Sequence, residues 1–164
     1  MYLKPSHRTR AEQSVGFGII AVASFLFAFL LITFFNEESL WVASLKTPFW
    51  RFSNSYSFSA LSFVHVSLAF SFWTLWRIFS LRTLKVELSL FLTAFILQSV
   101  WALSLFKGKE TLLALFALLL SMSAQILLTA LFWKKEKIAG ALFCFSLIWT
   151  FYLISTNMVL CIAN

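Results

Sequence analysis

Five long apolar stretches without a single lysine, arginine or glutamate run through this sequence: approximately Val15–Phe35, Tyr56–Trp76, Leu88–Phe106, Thr111–Trp133 and Ile138–Cys161. A hydrocarbon layer about 30 Å thick takes roughly 20 helical residues, so each stretch has the length of one membrane crossing. In lipid the backbone must satisfy its own hydrogen bonds, which only helices and closed barrels do. These stretches lack the period-two alternation of barrel strands. The expected fold is an all-α membrane protein, a bundle of five transmembrane helices. Residues 1–14 form a basic tail and residues 15–164 one domain. Composition agrees, since 21 phenylalanines and a 61% hydrophobic chain exceed what a small aqueous core could hide. The first stretch follows "MYLKPSHRTR" and has the look of a signal peptide, but its 21 residues exceed the usual apolar segment of about 7–15. A retained helix is expected.

The basic residues follow the same division. The tail (Lys4, Arg8, Arg10), the second connection (Arg77, Arg82, Lys85) and the fourth (Lys134, Lys135, Lys137) share one side and carry nine of the 13. Lys46, Arg51, Lys107 and Lys109 fall on the other. By the positive-inside rule the N-terminus is cytoplasmic and the C-terminus lies across the membrane. The net charge of +7 is thereby explained by topology, and no nucleic-acid partner is expected.

Few residues carry chemistry. There is no aspartate and no glutamate at membrane depth, so a carboxylate proton relay is excluded. No G-x-S-x-G, H-E-x-x-H or phosphate-binding glycine loop occurs, and no catalytic residue is assigned. His7 and His65 have no cysteine or carboxylate at ligand spacing, so no metal is expected. Cys144 and Cys161 are 17 residues apart in one expected helix, too far to bridge. Ala117, Ser121 and Ala124 form a small-residue stripe suited to close helix packing.

Trp73, Trp76, Trp101 and Trp133 stand near the ends of their stretches, as an interfacial aromatic belt requires. Trp149 does not; it is central in the last stretch, with Asn157 two helical turns on. His65 and Gln98 lie at similar depth, where polar groups need partners or a cavity. For both, a bond to a neighbouring helix stands beside a pocket role. Trp149 and Asn157 are about 80° apart around the helix and can line one wall, or Trp149 simply fills the bundle. The connection "NEESLWVASLKTPFWRFSNS", with Leu40, Trp41 and Trp50, either lies in the interface or folds over the mouth of the bundle. A cavity of aromatic residues with a few polar groups suits a flat, apolar ligand.

The order of these residues resembles the translocator protein family, also called tryptophan-rich sensory proteins or peripheral benzodiazepine receptor-like proteins. "AGALFCFSLIWTFYLISTNMVLCIAN" follows that family's Ala-Gly, mid-helix Trp, Leu-Asn and terminal Asn pattern. "LQSVWALSLF" resembles its Leu-Asn-x-x-Trp segment with Gln98 for the asparagine, and "WVASLKTPFW" its first loop. "FWTLWR" fits the end of the second helix. The family's double proline reads Phe52-Ser53 here, its tryptophan at the start of the second helix reads Leu61, and a later tyrosine reads His65.

The resemblance implies a multi-pass membrane protein that binds, senses or carries tetrapyrroles or similar flat hydrophobic molecules. Its implied pocket takes in Trp149, Leu153, Asn157, His65, Leu61, Gln98, Trp101 and Trp50. No cofactor is required, a porphyrin or haem-like molecule is the implied ligand, and the partners are lipid and a small hydrophobic molecule, with room for a homodimer. Two alternatives stand: an accessory membrane subunit without a ligand, and a porphyrin-degrading enzyme. Family members associated with degradation pair two pocket tryptophans; with Leu61 in the second place, binding is favoured over catalysis.

Overall fold

The computed structural model describes residues 9–37, 41, 44–52 and 54–164. The tail residues 1–8, with Lys4, His7 and Arg8, lie outside the described residues, as do Leu40 and Ser53 of the first connection. Five helices carry the described chain: α1 (Arg10–Glu37), α2 (Asn54–Ile78), α3 (Lys85–Ala102), α4 (Thr111–Lys135) and α5 (Lys137–Ala163). A 3₁₀ turn, Leu81–Leu84, leads into α3, and a wider π turn, Leu103–Lys107, extends it. Four segments are long and apolar enough to cross a membrane: Ser59–Ile78, Leu81–Lys107, Thr111–Lys135 and Lys137–Ala163. The sequence predicts five crossings. The helix not among the four is α1, of whose side chains beyond Leu26 only that of Phe29 is described.

Helix ends follow local chemistry. At the start of α1, Thr9 and Glu12 form a reciprocal cap: the Thr9 N–H donates to the Glu12 carboxylate at 2.7 Å, and the Glu12 N–H to Thr9 Oγ1 at 3.2 Å. Two of the four orphan N–H groups of that end are thus satisfied. Glu136 alone, in extended conformation, separates α4 from α5, and its carboxylate accepts from the Ile138 N–H. So short a link forces the two helices to lie antiparallel and close. Gly140 permits the approach, because a Cβ there would stand 2.8 Å from Trp133 Cα. Gly16 plays the same part in α1, with the Trp76 ring of α2 seated on it.

The helices form a ring, α1 on α2, α2 on α5, α5 on α4 and α4 on α3, which α1 closes by touching α3 and its π turn. Inside, Phe72, Phe91, Phe95, Phe132 and Phe143 interlock with centroid separations of 4.6 to 6.5 Å. Edge-to-face and tilted pairs of this kind add roughly 0.5–1.5 kcal/mol each beyond their buried area. The outer surface is apolar, with Ile96, Leu127, Phe151 and Ile162 all exposed. The polar groups are inside: Ser71, Ser121, Gln125, Thr150 and Asn157 are buried. This arrangement is stable only where lipid surrounds the bundle.

The buried polar groups hold the ring in register. Ser146 Oγ of α5 donates to Gln125 Oε1 at 2.9 Å; Gln125 Nε2 donates to Ser121 Oγ at 3.1 Å and Thr150 Oγ1 at 2.9 Å; Ser121 Oγ donates to the Ala94 carbonyl of α3 at 3.2 Å. Three helices are joined through one glutamine. Ser71 Oγ ties α2 to the Ala139 carbonyl of α5 at 2.7 Å. Near the link between α2 and α3, Lys135 pairs with the buried Glu87 carboxylate at 2.6 Å and donates to the Thr83 carbonyl at 2.9 Å. The small-residue stripe of α4, extended by Ala114, is buried, as close packing requires.

Candidate functional site

Along α5, Trp149, Tyr152, Leu153, Thr156, Asn157 and Leu160 recur at intervals of three and four residues, which places them on one stripe of the helix. That stripe is one wall of a small cavity. Trp101, Leu105 and Phe106 form the opposite wall, and Arg51 and Ser57 approach from the first connection and α2. The π turn matters here. Its Gly108 N–H reaches the Leu103 carbonyl at 2.9 Å, five residues back, and Ser104, Leu105 and Phe106 are consecutively buried.

The cavity is roofed by a column of rings. Phe52 stacks on Tyr152 at 4.8 Å, and Tyr152 lies against Trp149 at 5.2 Å. The Phe52 N–H donates to the Tyr152 hydroxyl at 2.9 Å, and farther along the connection the Lys46 N–H donates to Asn164 Oδ1 at 3.0 Å. Trp41 and Leu45 pack against the core. Of the two readings of the connection, its described residues follow the one in which it folds over the end of the bundle.

The cavity has a volume of about 50 Å³. One water takes up about 30 Å³ of liquid, and clefts for drug-sized ligands run to roughly 300–1,000 Å³. As it stands the cavity is partly open to its surroundings and too small for such a ligand. A larger ligand needs Tyr152 and Phe52 to swing away from Trp149. Two polar atoms of cavity-lining residues are buried without a hydrogen-bond partner, Asn157 Oδ1 and Thr156 Oγ1. Asn157 Nδ2 donates to the Thr111 carbonyl at 2.9 Å, which identifies the other end of the amide as the acceptor.

Of the eight residues expected at the pocket, Trp149, Leu153, Asn157 and Trp101 meet in this cavity. Trp101 is 3% exposed and so stands inside the bundle, not in the interfacial belt, whereas Trp133, 48% exposed, suits the belt. The other four are elsewhere. Gln98 faces Gln125 in the bundle centre, and its Nε2 makes a long 3.5 Å contact with Thr150 Oγ1 of α5. Leu61 is buried in the core one turn before His65. Trp50 is partly exposed, its ring edge-on to Phe49 at 4.9 Å. His65 lines a wider groove of about 410 Å³ between α1 and α2, among Phe17, Phe25 and Phe70. Its Nδ1 donates to the Leu61 carbonyl of its own helix at 2.8 Å, and its ring meets Phe95 edge-on at 6.2 Å.

Tyr152, Thr156 and Arg51 belong to the site and escape a reading that looks only for unusual residues. The helical spacing from Trp149 is the signal that reaches the first two. Among the comparisons with known proteins, the TspO/MBR family model matches residues 18–162. No curated protein matches the chain.

Proposed function

Since the chain belongs to the TspO/MBR family, over nearly its whole length, we propose that this multi-pass membrane protein binds tetrapyrroles or similar flat apolar molecules in the cavity beneath its first connection, as a sensor or carrier. The observation that carries the reading is the meeting of Trp149 and Asn157 on one cavity wall, under a roof held by few bonds. Trp149 offers a broad ring for stacking, and Asn157 an unmet acceptor. The narrow site widens when Tyr152 and Phe52 leave Trp149, and the ligand takes the place of their rings. The equilibrium shifts by as much as the ligand prefers the open state.

The proposal includes α1 as a fifth crossing and a cytoplasmic N-terminus, on the length of the Val15–Phe35 stretch and the nine-to-four division of basic residues. One observation favours a second reading. The small volume and the packing of Trp149 against Tyr152 suit an accessory subunit that binds nothing. Breakdown of porphyrin has weaker support, since Leu61 supplies no indole and is not among the residues that line the cavity.

Titration of protoporphyrin into the protein in phosphatidylcholine nanodiscs, followed by tryptophan fluorescence, separates the first two readings. Saturable quenching beyond that of added free tryptophan in empty nanodiscs is the expected result. Quenching that rises linearly and matches this control would leave only the accessory reading.

A further inference from the structure

Three unmet polar groups surround the cavity, and their chemistry describes a ligand more narrowly than flatness does. This inference rests on the binding reading above. Asn157 is 2% exposed; its Nδ2 is committed to the Thr111 carbonyl, with Cys161 Sγ at 3.8 Å, and its Oδ1 has no partner. Thr156 Oγ1, one residue before it, is also buried and unpartnered. An acceptor left dry and unpaired is unfavourable, and a donor on a ligand would relieve it. Among the described residues, Arg51 is the one charged residue lining the cavity, and no carboxylate lines it. Its backbone N–H donates to the Pro48 carbonyl at 3.1 Å, while its guanidinium makes no hydrogen bond or ion pair with any described residue. The ion pair of Glu87 and Lys135 lies at the opposite end of the bundle.

Arg51 is half-buried, and a guanidinium beside an apolar cavity is suited to a carboxylate. The planar fork takes an acid bidentately, and the bond is charge-assisted. Near hydrocarbon the attraction is screened less than in water. We infer that the cavity selects an amphipathic acid: an apolar body that stacks on Trp149, a carboxylate bound by the Arg51 guanidinium, and an N–H or O–H on the body that donates to Asn157 Oδ1. Arg51 comes from the connection and Asn157 from α5, so such a ligand would be held from both sides once the roof has parted. Arg51 is then the residue that decides between an acid and a neutral molecule of the same shape.

The test compares protoporphyrin with its dimethyl ester, which keeps the ring and pyrrole N–H groups and loses both carboxylates. Binding to wild type, Arg51→Gln and Arg51→Lys is measured in nanodiscs of uncharged phosphatidylcholine, so that lipid charge does not contribute. Wild type should bind the acid about tenfold more tightly than the ester. Arg51→Gln should bring the acid down to the level of the ester and leave the ester unchanged, and Arg51→Lys should restore part of the preference. Equal affinity of wild type for acid and ester would overturn the inference and leave the binding reading standing. So would a loss in Arg51→Gln that falls on both ligands alike, which would mark a positional role in the connection. Saturable binding of neither ligand would overturn both.

Discussion

Tyr152 holds the roof of the cavity by one hydroxyl, and the group it holds is informative. The Phe52 N–H that donates to it belongs to the Arg51–Phe52 peptide bond, a bond that trypsin cleaves. A neutral hydrogen bond contributes a net 0.5–1.5 kcal/mol or so, and cleavage requires the segment to leave the bundle. Tyr152→Phe should therefore raise the rate of tryptic cleavage after Arg51 roughly two- to tenfold, read by mass spectrometry of timed digests. An unchanged rate would mean that the connection is held elsewhere. At this scale the sequence is legible where residue type and depth conflict. Trp149 and Asn157 stand out because lipid offers neither a partner, whereas Tyr152 is an ordinary aromatic among many. Its role depends on Phe52, 100 residues away, and no local pattern carries that distance.

Among the helices, the Gln125 network decides how α3, α4 and α5 rotate against one another. Gln125→Leu would strip Ser146 of its acceptor and Thr150 of a donor in a site that water does not reach. Interhelical hydrogen bonds in membranes are worth about 0.6 kcal/mol on average and up to about 1.7, so the substitution should cost about 1–2 kcal/mol. Gln98→Leu should cost less, because its contact with Thr150 is at the limit of a hydrogen bond. Unfolding in a graded series of denaturing detergent measures both. Equal stability of Gln125→Leu and wild type would refute the network as a register device. The α2, α4 and α5 boundaries were legible to within a few residues, since length, charge and short links all point the same way. The π turn and the pairing of Gln125 were not. A polar residue in an apolar stretch announces that it needs a partner, but helix rotation and ring order decide which one.

At the scale of the molecule, the inside-out distribution of polarity fixes lipid as the surroundings, and the proposed topology rests on the basic residues. Reporter fusions after Asn164 and within the Lys134–Lys137 link should report opposite compartments, with the link cytoplasmic. The same compartment for both would deny that α5 crosses. In the proposed function Trp149 is placed where it is because a ligand stacks on it. The most direct measurement is the affinity for protoporphyrin of wild type, Trp149→Phe and Trp149→Ala in the same nanodiscs. Trp149→Phe keeps most of the stacking face and should bind nearly as wild type. Trp149→Ala should bind about tenfold more weakly, a loss of about 1.4 kcal/mol. Wild-type affinity in Trp149→Ala, with the protein still folded, would return Trp149 to filling space in the bundle and refute its role in binding.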